Sequence, residues 1–299
     1  MKTLAKCFLI ASALSFAANS AAQSDVSRGA EELKIAAMEA LITAPPDRAL
    51  PLVNKVLAGD NSNELKERAL FILSQIDRPE AQETLLKFAR ESSGELQEEA
   101  IRMIGIGGDP GTLSALKSVY ESGNSEAREA VLEALMIAGD KKAVFEIALT
   151  ATGDDYEEAV DMLGVMDARD ELRDLRARNG ASEALIDAYA ISGDFDELRK
   201  MALDGSDPGI QAQAIEAMGI VGGDEVNSTL VQIYRDATTE DIREAALDGM
   251  LISGHDEGVL ELYRTTEDPA LKKALLEMLV IMDSDEVWNI IDSALEGGL

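Results

Sequence analysis

The chain is nearly without the side chains on which most enzymes depend. Its 299 residues hold one histidine and one cysteine. Thiol catalysis, disulfide frameworks, cysteine-bound metals and serine–histidine hydrolysis therefore have little to work with. No His-x-x-x-His pair, glycine-rich phosphate loop or Gly-x-Ser-x-Gly elbow occurs. Aromatic residues make up only 4% of the chain, and no stretch alternates polar with apolar residues as a half-buried strand does, which excludes a β-sandwich. Positive charge is also scarce. The 27 Lys and Arg face 57 Asp and Glu, for a net charge of −30. Such a surface repels nucleic acid and anionic membranes and favours a basic partner.

No apolar run reaches the ~20 residues that span a bilayer. The first segment reads instead as a secretory signal, with Lys2 and Lys6 before an apolar stretch from Cys7 to Ala18 and small residues at Ala21-Ala22. Cleavage is expected after Ala22. Cys7 opens the apolar stretch instead of following it, so its position is wrong for a lipoprotein cysteine. Loss of Lys2 and Lys6 takes the net charge from −30 to −32. The expectation is a soluble periplasmic protein without a membrane span, with release to the medium as the alternative.

What the sequence has in abundance is repetition. An alanine followed by an apolar residue recurs at Ala37-Met38, Ala69-Leu70, Ala100-Ile101, Ala130-Val131, Ala159-Val160, Ala184-Leu185, Ala214-Ile215, Ala245-Ala246 and Ala274-Leu275, at spacings of 29 to 32 with one of 25. Gly108-Asp109, Gly139-Asp140, Gly193-Asp194 and Gly223-Asp224 run in phase with it, and Gly254-His255-Asp256 is a stretched version. Glycine ends a helix in the left-handed conformation, and an aspartate after it suits the next N-terminus. Each unit reads as helix, turn, helix, Gly-Asp turn. The other turn is made of capping residues, as in Ser122-Gly123-Asn124-Ser125, Gly205-Ser206-Asp207-Pro208 and Thr265-Thr266-Glu267-Asp268-Pro269. One such pair cannot bury both faces, whereas a stack can.

Units such as Ser125-Glu126-Ala127-Arg128-Glu129-Ala130-Val131-Leu132-Glu133-Ala134-Leu135 with Gly139-Asp140, and Asp241-Ile242-Arg243-Glu244-Ala245-Ala246-Leu247, resemble short HEAT-like repeats of the kind shared by bacterial scaffolds and phycobilin lyases. The resemblance covers about residues 30–295. It implies an all-α fold, an α–α superhelix in which helical hairpins form a right-handed solenoid. Residues 23–299 then hold about eight to nine helical pairs after a signal peptide at 1–22. Tetratricopeptide repeats have a longer period and Trp, Gly and Tyr positions that do not fit. Near 160–180 the unit is irregular: Met166-Asp167-Ala168-Arg169 replaces the Gly-Asp ending, which a shortened helix or an irregular packing step would explain. The first helical segment, about 25–43, and the last helix, with Trp288, are expected to cap the ends.

In HEAT-like stacks the second helices line the concave surface. Two or three residues after the alanines come Glu39, Glu133, Asp161, Asp187, Glu216, Asp248 and Glu277, with Phe71 and Arg102 interrupting the row. That offset turns them away from the buried stripe. In so acidic a chain the row can be simple solvation. Its functional reading is an acidic groove that binds a protein with a basic segment.

The remaining candidates have plainer readings. Arg169, Arg173, Arg176 and Arg178 suit intramolecular pairing with Asp170, Glu171 and Asp174. Phe88, Tyr120, Tyr234 and Tyr263 recur in phase, as packing residues do. His255 sits in a turn. Asp283-Ser284-Asp285-Glu286 and Asp154, Asp155, Glu157 and Glu158 could hold a hard cation, but neither group has the spacing of a calcium loop, and capping accounts for them. The resulting expectation is an interaction scaffold with no cofactor and no catalysis. The alternatives are a lyase-like use of the concave face and loose binding of divalent cations.

Overall fold

The computed structural model describes residues 29–295, apart from residues 30 and 205. The expected signal segment with Cys7 and Ala22, and Gly205 of one expected turn, lie outside the described residues. Within them the fold is an all-α solenoid with no strand.

Helix α1 spans residues 31–39 and closes in a 3-10 turn, Ala40–Thr43. Eight helical pairs follow. The first helices are α2 (Pro46–Ala58), α4 (Pro79–Glu91), α6 (Pro110–Ser122), α8 (Lys141–Ala148), α10 (Arg169–Asn179), α12 (Phe195–Leu203), α14 (Asp224–Asp236) and α16 (Asp256–Thr265). Their partners are α3 (Asn63–Ser74), α5 (Glu95–Gly107), α7 (Ser125–Ala138), α9 (Asp154–Val165), α11 (Glu183–Ile191), α13 (Pro208–Val221), α15 (Glu240–Ile252) and α17 (Pro269–Ile281). Helix α18 (Asp285–Leu295) ends the described chain, with Val287 buried and Trp288 exposed. The helices form two compact units divided between Ala138 and Gly139.

The punctuation is physical. Ser62, Asp109, Asp140, Ser182, Asp207, Thr239 and Asp268 each accept a backbone N–H of the helix that follows. Pro46, Pro79, Pro110, Pro208 and Pro269 stand in the first helical turn, where a missing N–H is harmless. Gly139 (φ 73) and Gly193 (φ 66) take the left-handed conformation between pairs. At the irregular unit Asp167 (φ 52) adopts the same conformation in place of glycine, as does Asp283 (φ 52). The turn is therefore kept there, and the shortening lies in α11. That helix has nine residues against 14 in α13, and Asn179-Gly180-Ala181-Ser182 runs where its first turn would be.

Each second helix packs on its own first helix, and within each unit most also pack on the next second helix. In the first unit α3 meets α5 and α5 meets α7; in the second α9 meets α11, α11 meets α13 and α13 meets α15. Small residues allow this. Ala69, Ala100, Ala159, Ala214 and Ala246 are fully buried. Gly105, Gly164 and Gly219 lie where the helices touch: a Cβ on them would stand 2.5 Å from the Ala134 carbonyl, 2.9 Å from the Ala188 Cα and 2.3 Å from the Gly249 carbonyl. Leu and Ile flank them, with Leu70, Ile101, Leu163, Leu185, Ile215 and Met250 almost wholly buried. Each contributes about 1.5–3 kcal/mol of apolar burial.

Candidate functional site

In the second unit α9, α11, α13 and α15 form a continuous layer, and each turns one face away from the core. Asp161 on α9 and Asp187 on α11 are exposed on that face, and Glu216 on α13 and Asp248 on α15 are half-buried. Partial burial, followed by the charges of Asp187 and Glu157, raises the Asp161 carboxyl above its ordinary range. Burial and the charge of Glu183 raise Asp187. Burial, then Asp248 and Glu244, raise Glu216. The packing thus brings Asp161 to Asp187 and Glu216 to Asp248, each pair across a helix–helix boundary.

No cation balances them from the same helices. Helices α9, α11 and α13 contain no Lys or Arg. The one cation on α15, Arg243, is bound to Glu240 at 2.9 Å and to the Ala237 carbonyl at 3.1 Å. The other members of the row fare differently. Glu133, in the first unit, lies 4.0 Å from Arg102, which also holds Glu99 at 2.6 Å. The arginine that breaks the row therefore neutralises its neighbour. Glu277 on α17 pairs with Lys273 of its own helix at 3.5 Å. Glu39 is exposed on α1.

A second row went unread in the sequence. Four residues after Asp161, Asp187, Glu216 and Asp248 stand Val165, Ile191, Ile220 and Ile252, with 58%, 52%, 58% and 52% of their surface exposed. Ile106 and Ile137 follow Arg102 and Glu133 in the same way in the first unit, and Ile281 follows Glu277. A signal was present: a β-branched residue two or three places before the turn residue in Ile137-Ala138-Gly139, Ile191-Ser192-Gly193 and Ile252-Ser253-Gly254. It reads as the end of an apolar stripe, and only the packed structure shows it left outside.

The arginine cluster is structural. Arg173 binds Asp194 at 2.7 Å and approaches Glu197 at 3.6 Å, Arg176 also binds Glu197, and Lys200 reaches Glu197 at 2.5 Å. Asp194 and Glu197 are buried. Local pairs exist as expected, Arg173 with Asp170 at 3.6 Å and Arg178 with Asp174 at 3.0 Å, but the buried partners come from the next helical pair. Asp194 therefore does not cap α12 with its side chain; it faces Arg173 instead. His255 is the N-cap residue of α16, its ring lying against Gly258. Asp154, Asp155 and Glu157 occupy the first turn of α9. Among the described residues no three His, Cys, Asp or Glu side chains converge as a metal site needs, and no helix is long and apolar enough to cross a membrane. A trough of about 770 Å³ runs along α12 and α14 to the start of α15, past Arg199, Leu203, Gln232 and Ile242; none of the acidic row lines it.

Pairs of antiparallel helices, repeated every thirty-odd residues and joined through small-residue contacts, define the repeat class. A family model of HEAT repeats matches residues 50–136 and 83–164. Residues 50–164 are thus similar to HEAT repeats. A search of curated proteins finds no match. Among solved structures, human deoxyhypusine hydroxylase in complex with glycerol is similar at 21% identity over 84% of this chain and 96% of that one, with a TM-score of 0.36. The complex of CpcE and CpcF of phycocyanin lyase from Nostoc sp. PCC7120 is similar at 18% identity over 83% and 94%, with a TM-score of 0.28. An engineered protein is similar at 19% identity over 78% and 95%, with a TM-score of 0.26. At these values the likenesses carry nothing about activity.

Proposed function

We propose that this chain is an exported repeat scaffold that binds a basic segment of a partner protein along the acidic face of its second helices. The observation that carries the reading is the run of three neighbouring helices, α9, α11 and α13, without a single cation, followed by α15 with its one arginine committed elsewhere. Holding Asp161 beside Asp187 and Glu216 beside Asp248 is unfavourable in the free protein. A cationic partner relieves that repulsion on binding, which makes the face selective for positive charge. The scarcity of histidine and cysteine supports a binding role over a catalytic one.

Pull-down from envelope extract at low and high salt tests the proposal. Capture is expected at low salt and is lost in 0.5 M NaCl, roughly where the Debye length falls below 5 Å. The double variant Glu216→Lys/Asp248→Lys is expected to lose capture by about tenfold or more, since one charge reversal at a complementary face costs over 1.4 kcal/mol. Capture that ignores both salt and reversal sinks the reading. Export is tested separately by fractionation and N-terminal sequencing, with the mature chain expected to begin at Gln23.

A further inference from the structure

The acidic row does not stand alone on its face, and its companion narrows the class of partner. On each of α9, α11, α13 and α15 the acid is followed four residues later by an exposed aliphatic side chain: Asp161 and Val165, Asp187 and Ile191, Glu216 and Ile220, Asp248 and Ile252. Four residues along a helix is one turn on the same face, about 6 Å. Side by side at the usual 8–10 Å spacing, the four helices set out two parallel lanes, one of carboxylates and one of β-branched aliphatics. Isolated surface aliphatics are ordinary, but one on every helix of the layer, in register, is a regular apolar row of the kind that interaction surfaces carry.

We propose that this double lane, on the acidic face described above, docks an amphipathic helix of a partner protein whose aliphatic stripe is bordered on one side by Lys and Arg. The dimensions match. Positions seven apart on a helix lie about 10.5 Å apart along its axis, close to the spacing between successive rungs, and two neighbouring stripes on a helix about 10–12 Å across can face lanes about 6 Å apart. A helix laid across the rungs meets isoleucine with one stripe and carboxylate with the neighbouring one. The charged lane steers the approach and fixes which way round the helix lies; the aliphatic lane supplies the apolar area that holds it. A purely basic segment, such as a disordered polylysine tract, satisfies only one lane.

The test uses the full chain and two synthetic peptides of about three heptads, which span about 30 Å as helices. One carries a leucine stripe beside a lysine stripe. The other has the same composition shuffled, so that its charge is equal and its stripes are gone. The wild-type protein is expected to bind the striped peptide at least about tenfold more tightly than the shuffled one, and the triple variant Ile191→Ser/Ile220→Ser/Ile252→Ser is expected to erase that difference. These side chains are exposed, so the helical circular dichroism and melting of the variant should match wild type. Equal, salt-sensitive binding of both peptides overturns the double lane while leaving the acidic-face reading intact. Failure of both peptides to bind at low salt overturns both readings.

Discussion

Gly219 leaves no room for a methyl group. A Cβ there would lie 2.3 Å from the Gly249 carbonyl oxygen and 2.9 Å from the Gly249 Cα, both backbone atoms that cannot swing aside. Alanine gains about 1 kcal/mol of helix propensity over glycine, but the forced separation of α13 from α15 costs more. Gly219→Ala is therefore expected to lose about 2 kcal/mol in urea unfolding, whereas Gly107→Ala, with 3.4 Å to the Ser74 carbonyl, should be neutral or slightly stabilising. The alanines were legible from spacing alone, because a small residue must recur wherever two helices touch. These glycines were not. Glycine in sequence signals a turn, and Gly105, Gly164, Gly219 and Gly249 lie inside helices, where only the crossing geometry explains them. Ala184 shows the converse. It fits the repeat but is only half-buried, because it stands at the start of the shortened α11; the contact with α9 is made four residues on, at Ala188, as it is at Ala134 and Gly249 in other pairs.

At the level of elements, the short unit is held by charge as well as by packing. Arg173 and Arg176 of α10 reach across to Asp194 and Glu197 of the next pair, and the Tyr189 hydroxyl donates to the Leu172 carbonyl at 3.0 Å beneath them. The sequence showed the arginines and placed their partners one turn away, since helical spacing is the only geometry a linear reading supplies. The partners 21 residues on follow from stacking. Burial works to raise the Glu197 carboxyl, but hydrogen bonds and charges from Lys200 and Arg176 overcome it and hold the group below its ordinary range. Its contribution is thus present above the unfolded carboxylate range and is lost as pH falls through the lower folded value. Glu197→Ala is expected to lose about 2–3 kcal/mol at pH 7, because Arg176 and Lys200 lose the buried carboxylate they share, while Arg173 keeps Asp194. The difference from wild type should shrink steadily below about pH 4, which denaturant melts across pH will show.

For the whole molecule the balance of charge sets stability and binding against each other. The solenoid class was readable because the repeat, the caps and the alanine stripe all point to one packing, and the acidic row was readable because it keeps the same phase. The aliphatic lane was not, since exposure is decided by neighbours the sequence does not show. The raised carboxyls of Asp161, Asp187 and Glu216 act opposite to Glu197: the folded protein binds more protons than the unfolded one, so their contribution is fully present below the unfolded carboxylate range and is lost as pH rises through the raised folded values. The chain should be more stable at mildly acidic pH than at pH 7, with stability falling again on stronger acidification as Glu197 protonates. Asp161→Asn/Asp187→Asn/Glu216→Gln is expected to remove most of the gain on mild acidification from pH 7. Exposed like-charge neighbours cost about 0.2–0.5 kcal/mol each, so the variant should melt about 2–3 °C higher than wild type at pH 7. Salt at 0.5 M should raise the wild-type melting temperature by a similar amount and the variant's by less. The same substitutions remove the charge that a cationic partner reads. A variant that melts higher and still captures its partner at full strength would separate the acidic face from function, whereas the expected loss of capture identifies the repulsion as a cost the folded chain carries for binding.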